Sequence, residues 1–434
     1  MSTEEEVKKE EVLNPKTEKN TITYSSGYKV LFFFLFCLIG LINNLGSVLI
    51  ITCSQQFAKN LNNPELIALY PMAIIACSSL SRVLNSKFCL RLNYIFRVIL
   101  LSIYFLVGYL SLFTILKIVD GDENFSKLLA FCLSLIPSLI MGTGQAFGEA
   151  NILGYLRTFP EGYVSGWSSG TGFAGVVGAG ISLLFKIYKI KTMYLYLFVS
   201  PVTIVYFSMF YIATIMKGKA DKENEARISK VQPIDEEANK ETKEVVETNI
   251  TDVKENKTMS CANFKEGFMK GKKFIINLAL VYYLEYTILT GFGERVSKFK
   301  YVKDDRFSDY LYEYFCVCYQ FGVLCSRSSL FIVKKIPYVE IYTICQGINY
   351  IMWIIEVETG YITIWWILFL HLIIVGLFGG ASYVGCFHFL LETKSIDSKL
   401  KELCVNIGTI FNDLGILSAS ITVLIVDNTI MRVK

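Results

Sequence analysis

Long apolar runs, separated by short polar stretches, follow one another through most of the chain. Most have about 20 residues or more, the length that a helix needs to cross a hydrocarbon core of roughly 30 Å. Six runs precede a strongly charged stretch and five follow it. The pattern predicts an all-α membrane protein with about 11 transmembrane helices. The predicted spans are Tyr28–Thr52, Pro64–Phe88, Tyr94–Leu116, Leu128–Ala150, Gly166–Phe185, Thr192–Met216, Phe274–Phe292, Tyr310–Val333, Tyr338–Glu356, Ile362–Leu391 and Leu403–Val426.

The charged stretch between the two groups of spans covers residues 217–272 and carries 12 Lys and Arg against 12 Asp and Glu. Its apolar content is too low to offset the chain entropy lost on folding, which predicts a disordered cytosolic linker. Residues 1–27 have the same character and predict a disordered cytosolic tail. The remaining segments, 28–216 and 273–434, are expected to form a six-helix and a five-helix bundle, the outline of a two-bundle transporter.

The amino-acid composition of the chain excludes several classes of function. Of the 434 residues, 53% are hydrophobic and only 18% are charged, with a mean hydropathy of +0.45, which excludes a soluble globular enzyme. The chain has only two histidines, His371 and His388, too few for a His-rich metal site, and we expect neither a metal nor a cofactor. The net charge of +4 gives no indication of nucleic-acid binding.

Loop charges and a glycosylation motif predict the orientation. With the amino terminus in the cytosol, most Lys and Arg residues fall on the cytosolic side, as the positive-inside rule requires. The same topology places the motif Asn124-Phe125-Ser126 on the opposite side, where Asn124 could be glycosylated, and leaves the motifs at Asn249 and Asn256 in the cytosol.

The fifth predicted span contains a stripe of small residues. Gly166, Gly170, Ala174 and Gly178 are spaced four apart, and the simplest interpretation is close packing of another helix. The other interpretation concerns the amino-terminal turns of this span, where serine and threonine hydroxyls and free backbone N–H groups favour an anionic ligand. The residues of this segment that we assign to a substrate cavity are Trp167, Ser168, Ser169, Gly170 and Thr171.

Ionisable side chains inside predicted spans are the other candidates for a cavity, because charge within a bilayer usually faces a polar space or a partner. These are Glu149, Glu285, Arg327, His388 and Asp413, and Gln320 shares a helix face with Arg327. The alternative to a cavity role is, for each acid or arginine, an ion pair between two helices. For the histidine, the alternative is an imidazole whose nitrogens are hydrogen-bonded inside the bundle. Together they predict an amphoteric cavity in which the guanidinium holds an anion and the acids or imidazole exchange protons.

Several motifs, in order along the chain, resemble the battenin family of Batten-disease membrane proteins. They include FGEANILGYLRTFPEGYVSGWSSGTGFAGVVGA, YYLEYTILTGFGE, YQFGVLCSRSSL and GGASYVGCFHFLLET. The resemblance implies a fold similar to major facilitator transporters, a lysosomal, vacuolar or endosomal membrane, and export of glycerophosphodiesters, with links to luminal pH and basic amino acids. It also implies that Glu149, residues 167–172, Glu285, Arg327 and His388 occupy the family's motif positions.

Two classes of function remain open. The first is a transporter whose partners are the lipid bilayer, a small solute and protons. The second is a non-transporting membrane scaffold that recruits trafficking partners through the linker. A third class, an intramembrane enzyme, has no HExxH motif in the sequence, and the one GxSxG match, Gly166–Gly170, belongs to the stripe of small residues in the fifth predicted span.

Overall fold

The structure is a computed structural model. It describes residues 24–88, 92–159, 163–231, 261–299, 310–393 and 395–429. The predicted tail lies almost wholly outside these ranges, as do the central part of the linker and the motifs at Asn249 and Asn256. The described residues are almost entirely helical, as the apolar pattern predicts.

Between residues 24 and 231, the described part of the chain contains eight α-helices. They are α1 (Ser26–Asn60), α2 (Leu69–Ala76), α3 (Ser78–Phe88), α4 (Tyr94–Gly121), α5 (Lys127–Leu156), α6 (Val164–Ile187), α7 (Thr192–Val199) and α8 (Val202–Val231). We call residues 24–231 the amino-terminal half.

Seven α-helices are described between residues 261 and 429, which we call the carboxyl-terminal half. They are α9 (Cys261–Thr287), α10 (Glu294–Phe299), α11 (Leu311–Arg327), α12 (Leu330–Val333), α13 (Glu340–Thr359), α14 (Trp365–Glu392) and α15 (Ser398–Asn428). A π-helical segment, Ile288–Gly293, joins α9 to α10, so that they form one continuous rod.

Within the described ranges, nine helical stretches are long and apolar enough to cross a membrane. Helices α11 and α13 complete the eleven predicted segments, although α11 has only 17 residues and α13 is more polar, with Gln346 and Glu356 buried along its length. The all-α membrane fold is therefore confirmed, and among the described residues nine of the eleven predicted spans are long and apolar enough to cross a membrane.

Three predicted spans are interrupted rather than straight. The second breaks at Cys77 between α2 and α3, the sixth at Ser200 and Pro201 between α7 and α8, and the eighth at Ser328 and Ser329 between α11 and α12. Proline lacks an N–H group and its ring restricts the preceding residue, which explains the second of these breaks. The break at Cys77 matters for function, because α3 presents its first residues toward the other half of the chain.

The linker boundaries also differ from the prediction. Helix α8 runs to Val231, well past Met216, and α9 begins at Cys261 rather than near residue 273. Local contacts hold the extension of α8: Lys217 pairs with Asp221 at 2.7 Å, and the Tyr24 hydroxyl donates a hydrogen bond to the same carboxylate. An i,i+4 ion pair and a tertiary hydrogen bond of this kind stabilise a charged helix that apolar content alone does not predict.

Close helix packing within each half depends on glycine. In the amino-terminal half, a Cβ at Gly170 would overlap the Cys37 carbonyl oxygen, so α6 lies directly against the backbone of α1. In the carboxyl-terminal half, a Cβ at Gly376 would overlap the Tyr319 carbonyl oxygen, which brings α14 equally close to α11. The stripe in the fifth span therefore serves helix packing, the simpler of its two interpretations.

Candidate functional site

A buried arginine of α3 joins the two halves of the chain. Arg82 Nη1 lies 2.6 Å from Asp413 Oδ2 on α15, and Arg82 Nη2 lies 3.1 Å from Glu149 Oε2 on α5. The same aspartate oxygen accepts hydrogen bonds from Ser78 and, at 3.4 Å, from Ser79. We call Arg82, Glu149 and Asp413 the clamp, because one guanidinium holds a carboxylate of each half.

The clamp is well shielded from solvent. The Arg82, Glu149 and Asp413 side chains are only 16%, 17% and 12% exposed, respectively. Removing one partner from a buried ion pair costs about 3–5 kcal/mol, because the remaining charge is left uncompensated. The clamp therefore holds the halves together while all three groups are charged.

A second buried guanidinium has a different environment. Arg327, the last residue of α11, donates from Nη1 to Thr171 Oγ1 on α6 at 3.2 Å and from Nη2 to the Tyr282 hydroxyl on α9 at 3.0 Å. Its Cζ atom lies 4.4 Å above the centre of the Tyr383 ring. Among the described residues no carboxylate comes within 4 Å of this guanidinium, and its Nε has no hydrogen-bond partner. We call these four residues the arginine seat.

Tyr383 connects the clamp to the arginine seat. Its ring lies under Arg327, while its hydroxyl donates a 3.0 Å hydrogen bond to Glu149 Oε1. The aromatic face attracts the cation and the hydroxyl stabilises the carboxylate. The two guanidinium groups thus belong to one continuous polar array between the halves.

Glu285 lies on α9 close to the arginine seat. Its side chain is 1% exposed, and Oε2 has no hydrogen-bond partner among the described residues. That oxygen is pressed against α14, where a Cβ at Gly379 would overlap it. A buried carboxylate without full pairing is costly in its charged form.

Helix α6 presents a second glycine face toward α11. A Cβ at Gly172 would lie 3.2 Å from Leu324 Cα and 3.6 Å from the Arg327 side chain, and a Cβ at Gly175 would overlap the Gln320 side chain. Gln320 and Arg327 therefore do share the helix face that meets α6, as their spacing of seven predicts. The face is separate from the stripe that packs on α1.

The remaining residues of the α6 segment divide between packing and the site. Trp167 and Gly170 face α1, the tryptophan with only 3% of its surface exposed. Ser168 Oγ is buried without a partner among the described residues, its carbonyl accepts the Thr171 hydroxyl at 2.8 Å, and Ser169 is half-buried. Only Thr171 reaches the arginine seat.

His388 lies apart from both groups. It is half-buried on α14, its ring centre lies 5.3 Å from that of Phe389, and the structure gives it no hydrogen bond to another described residue. The structure therefore brings together Glu149, Thr171, Glu285, Arg327 and Asp413, with Gln320 beside them, and leaves His388 outside.

Three members of the array were not among the sequence candidates: Arg82, Tyr282 and Tyr383. Arg82 carries a usable signal in the sequence, because it lies inside the second predicted span. The two tyrosines carry no such signal in the sequence, since Tyr is common both in apolar cores and at membrane interfaces.

Solved structures share this arrangement of two helical halves. The chain is similar to a major facilitator superfamily proton:xylose symporter, with a TM-score of 0.58, 12% identity, and coverage of 94% of this chain and 90% of that one. It is also similar to a bacterial homologue of the human lysosomal transporter Spinster, with a TM-score of 0.53, 11% identity, and coverage of 93% and 84%. The fold is that of the major facilitator transporters.

The family model described as CLN3 protein matches residues 32–433, so the chain belongs to that family. Battenin from Dictyostelium discoideum is 29% identical over 407 residues, covering 91% of this chain and 94% of the relative. Protein BTN1 from Saccharomyces cerevisiae is 25% identical over 417 residues, covering 89% and 91%. The chain is a battenin-family membrane protein with the major facilitator fold.

Proposed function

We propose that the chain exports a small anionic or zwitterionic metabolite, such as a glycerophosphodiester, across a lysosomal, vacuolar or endosomal membrane by alternating access. Membership of the battenin family and the major facilitator fold support a transporter in general terms. The amino terminus and the linker would lie in the cytosol, and Asn124, which is exposed at the opposite end of the bundle, would face the lumen.

The arginine seat is the observation that carries this proposal. Arg327 is held between the halves by two neutral hydroxyls and one aromatic ring, with no carboxylate within 4 Å among the described residues. A guanidinium can bind a phosphodiester or carboxylate through paired charge-assisted hydrogen bonds. Because neutral groups position this one, an arriving anion need not displace a resident acid.

In this proposal, Glu285 couples transport of the anion to protons. An anion at Arg327 would sit near this buried carboxylate, and protonation of Glu285 would remove the repulsion between them. One proton would therefore accompany each bound anion, while Asp413 and Glu149 stay paired with Arg82 in the clamp.

Uptake of glycerophosphocholine into proteoliposomes, measured across a range of pH gradients, tests the proposal. The wild-type protein should show flux that rises with an inward proton gradient. Glu285→Gln, which imitates the protonated acid, should bind the solute but lose the pH dependence. Unchanged pH dependence in this variant would contradict the coupling.

The scaffold hypothesis makes the opposite prediction in cells. If Arg327→Ala and Glu285→Ala proteins fold, localise and fully restore cells that lack the protein, recruitment rather than transport is the function. If those variants fail while a deletion within residues 232–260 restores function, transport is the function.

A further inference from the structure

Polar contacts join the halves at one end of the bundle. We call this the distal end, where α6 finishes and α11 begins, opposite the end where the linker attaches. Lys186 Nζ of α6 lies 2.5 Å from Glu313 Oε1 of α11. Gln55 Nε2 of α1 donates to Ser297 Oγ of α10 at 2.9 Å and to Glu294 Oε1 at 3.4 Å. We call the contact of Gln55 with Glu294 and Ser297 the distal latch.

The distal latch can open without leaving a buried charge alone. Glu294 is 2% exposed, and its carboxylate also pairs with Lys298, one turn later on the same helix. That ion pair would move with α10 when the halves separate. Opening the distal latch removes the two hydrogen bonds of Gln55, each worth about 0.5–1.5 kcal/mol. Full separation of the halves at this end also breaks the 3.3 Å hydrogen bond from Lys298 to the Pro64 carbonyl oxygen and the Lys186–Glu313 ion pair.

A π-helical segment lies directly before the distal latch. Ile288–Gly293 is buried at all six positions and joins Glu285, three residues before it, to Glu294, the residue after it. Single π turns are rare and cluster at functional positions, since the extra residue disrupts regular packing. Glycines at 291 and 293 lower the cost of changing the backbone conformation there.

The helix is anchored on both sides of this segment. Upstream, Tyr282 accepts a hydrogen bond from Arg327, and Glu285 is wedged against Gly379. Downstream, Glu294 and Ser297 contact Gln55 of the other half. Any change in the helical register between the two anchors must therefore move one relative to the other.

We propose that Ile288–Gly293 is a hinge that opens the distal latch. Return of this segment from π to α geometry would turn the downstream helix by about 100° and shift it by about 1.5 Å relative to the upstream part. That rotation would carry Glu294 and Ser297 away from Gln55. The purpose of the hinge rests on the proposed transport function, but its motion can be measured without any solute.

Two native cysteines can report the opening. Cys53, two residues before Gln55 on α1, and Cys316, three residues after Glu313 on α11, are 3% and 2% exposed. A membrane-impermeant maleimide applied from the distal side to the full-length protein in membranes should label them only when that end opens. Mass spectrometry of the two peptides gives the labelling rate.

The latch is tested with Gln55→Leu, which removes both hydrogen bonds and keeps a side chain of similar size. We expect about a tenfold faster labelling of Cys316, the factor that the loss of two hydrogen bonds of modest net strength implies. Gln56→Leu, the same change at the next position of α1, is the matched control and should label as the wild type does. Equal labelling of the two variants would overturn the latch.

The hinge is tested with Gly293→Ala. A Cβ at this position would lie 3.3 Å from the Ile288 carbonyl oxygen, which crowds the π turn and favours α geometry. Labelling of Cys316 should therefore rise, whereas Gly180→Ala, a helical glycine with no neighbour within 4 Å, should change nothing. No difference between these two variants would refute the hinge.

A second measurement covers the case in which Gly293→Ala does not fold. Amide hydrogen exchange across residues 288–293 should increase in Gln55→Leu, because opening of the latch and rearrangement of the segment are one event. Unchanged exchange in a variant that labels faster would also refute the hinge. If labelling and exchange respond as expected but glycerophosphocholine is not transported, the hinge stands and the proposed solute is wrong.

Discussion

Replacing Arg327 by Gln tests the anion site most directly. The guanidinium donates from two nitrogens to neutral hydroxyls at 3.2 and 3.0 Å, and a bound phosphodiester would take over or share those donors. A hydrogen bond to a charged group is worth about 1.5–3 kcal/mol, so the loss of two such bonds costs about 3–6 kcal/mol. The affinity for the anion should therefore fall by roughly a hundredfold to ten-thousandfold.

Arg327→Lys refines this prediction, because lysine keeps the charge but loses the fork of two donors. Its affinity should lie between that of the wild type and that of Arg327→Gln. The assay is ligand-induced thermal stabilisation of the purified protein with glycerophosphocholine, followed by uptake in proteoliposomes. Arg227→Gln, a surface change on α8, is the control for general charge effects.

The result that would refute the reasoning is specific. If Arg327→Gln folds, as judged by its unfolding temperature without ligand, and still binds and transports glycerophosphocholine as the wild type does, the arginine seat is not the anion site. Loss of binding in Arg227→Gln as well would mean that the effect is one of overall charge.

Three further predictions can be checked with purified protein. Gly379→Ala should lower the unfolding temperature by several degrees, because the added methyl would overlap the Glu285 carboxylate, whereas Gly180→Ala should not. Asp413→Asn should destabilise the protein by about 1.5–3 kcal/mol in a chemical unfolding experiment, because Arg82 loses one charge-assisted hydrogen bond but keeps its pair with Glu149. Asn124→Gln should abolish any shift in electrophoretic mobility on glycosidase treatment; a shift that persists would place the glycan elsewhere.

Much of the fold could be predicted from the apolar runs alone. A segment that spans a bilayer must form its backbone hydrogen bonds internally. An apolar run that is long enough to cross the bilayer therefore predicts a helix. The breaks and extensions could not be predicted in this way. The break at Cys77 has no proline signal, and the extension of α8 depends on a contact between Asp221 and Tyr24, 197 residues away.

The candidate site was partly visible for an equally physical reason. Charges in apolar runs are costly, so Glu285, Arg327 and Asp413 stand out in the sequence. Their partners do not, because pairing is a property of the folded bundle. Arg82 and Asp413 are 331 residues apart, and nothing near either of them in the sequence indicates that they meet.

The two glycine faces of α6 have different consequences for substitutions. The face with Gly166 and Gly170 packs within one half, so a larger residue there should give a chain that misassembles and is degraded soon after synthesis. The face with Gly172 and Gly175 meets the other half, so a larger residue there should give a mature protein, present in normal amounts, that cycles slowly. Substitutions only a few residues apart would then fail at different stages, the first during assembly of the bundle and the second during the working cycle of the mature protein.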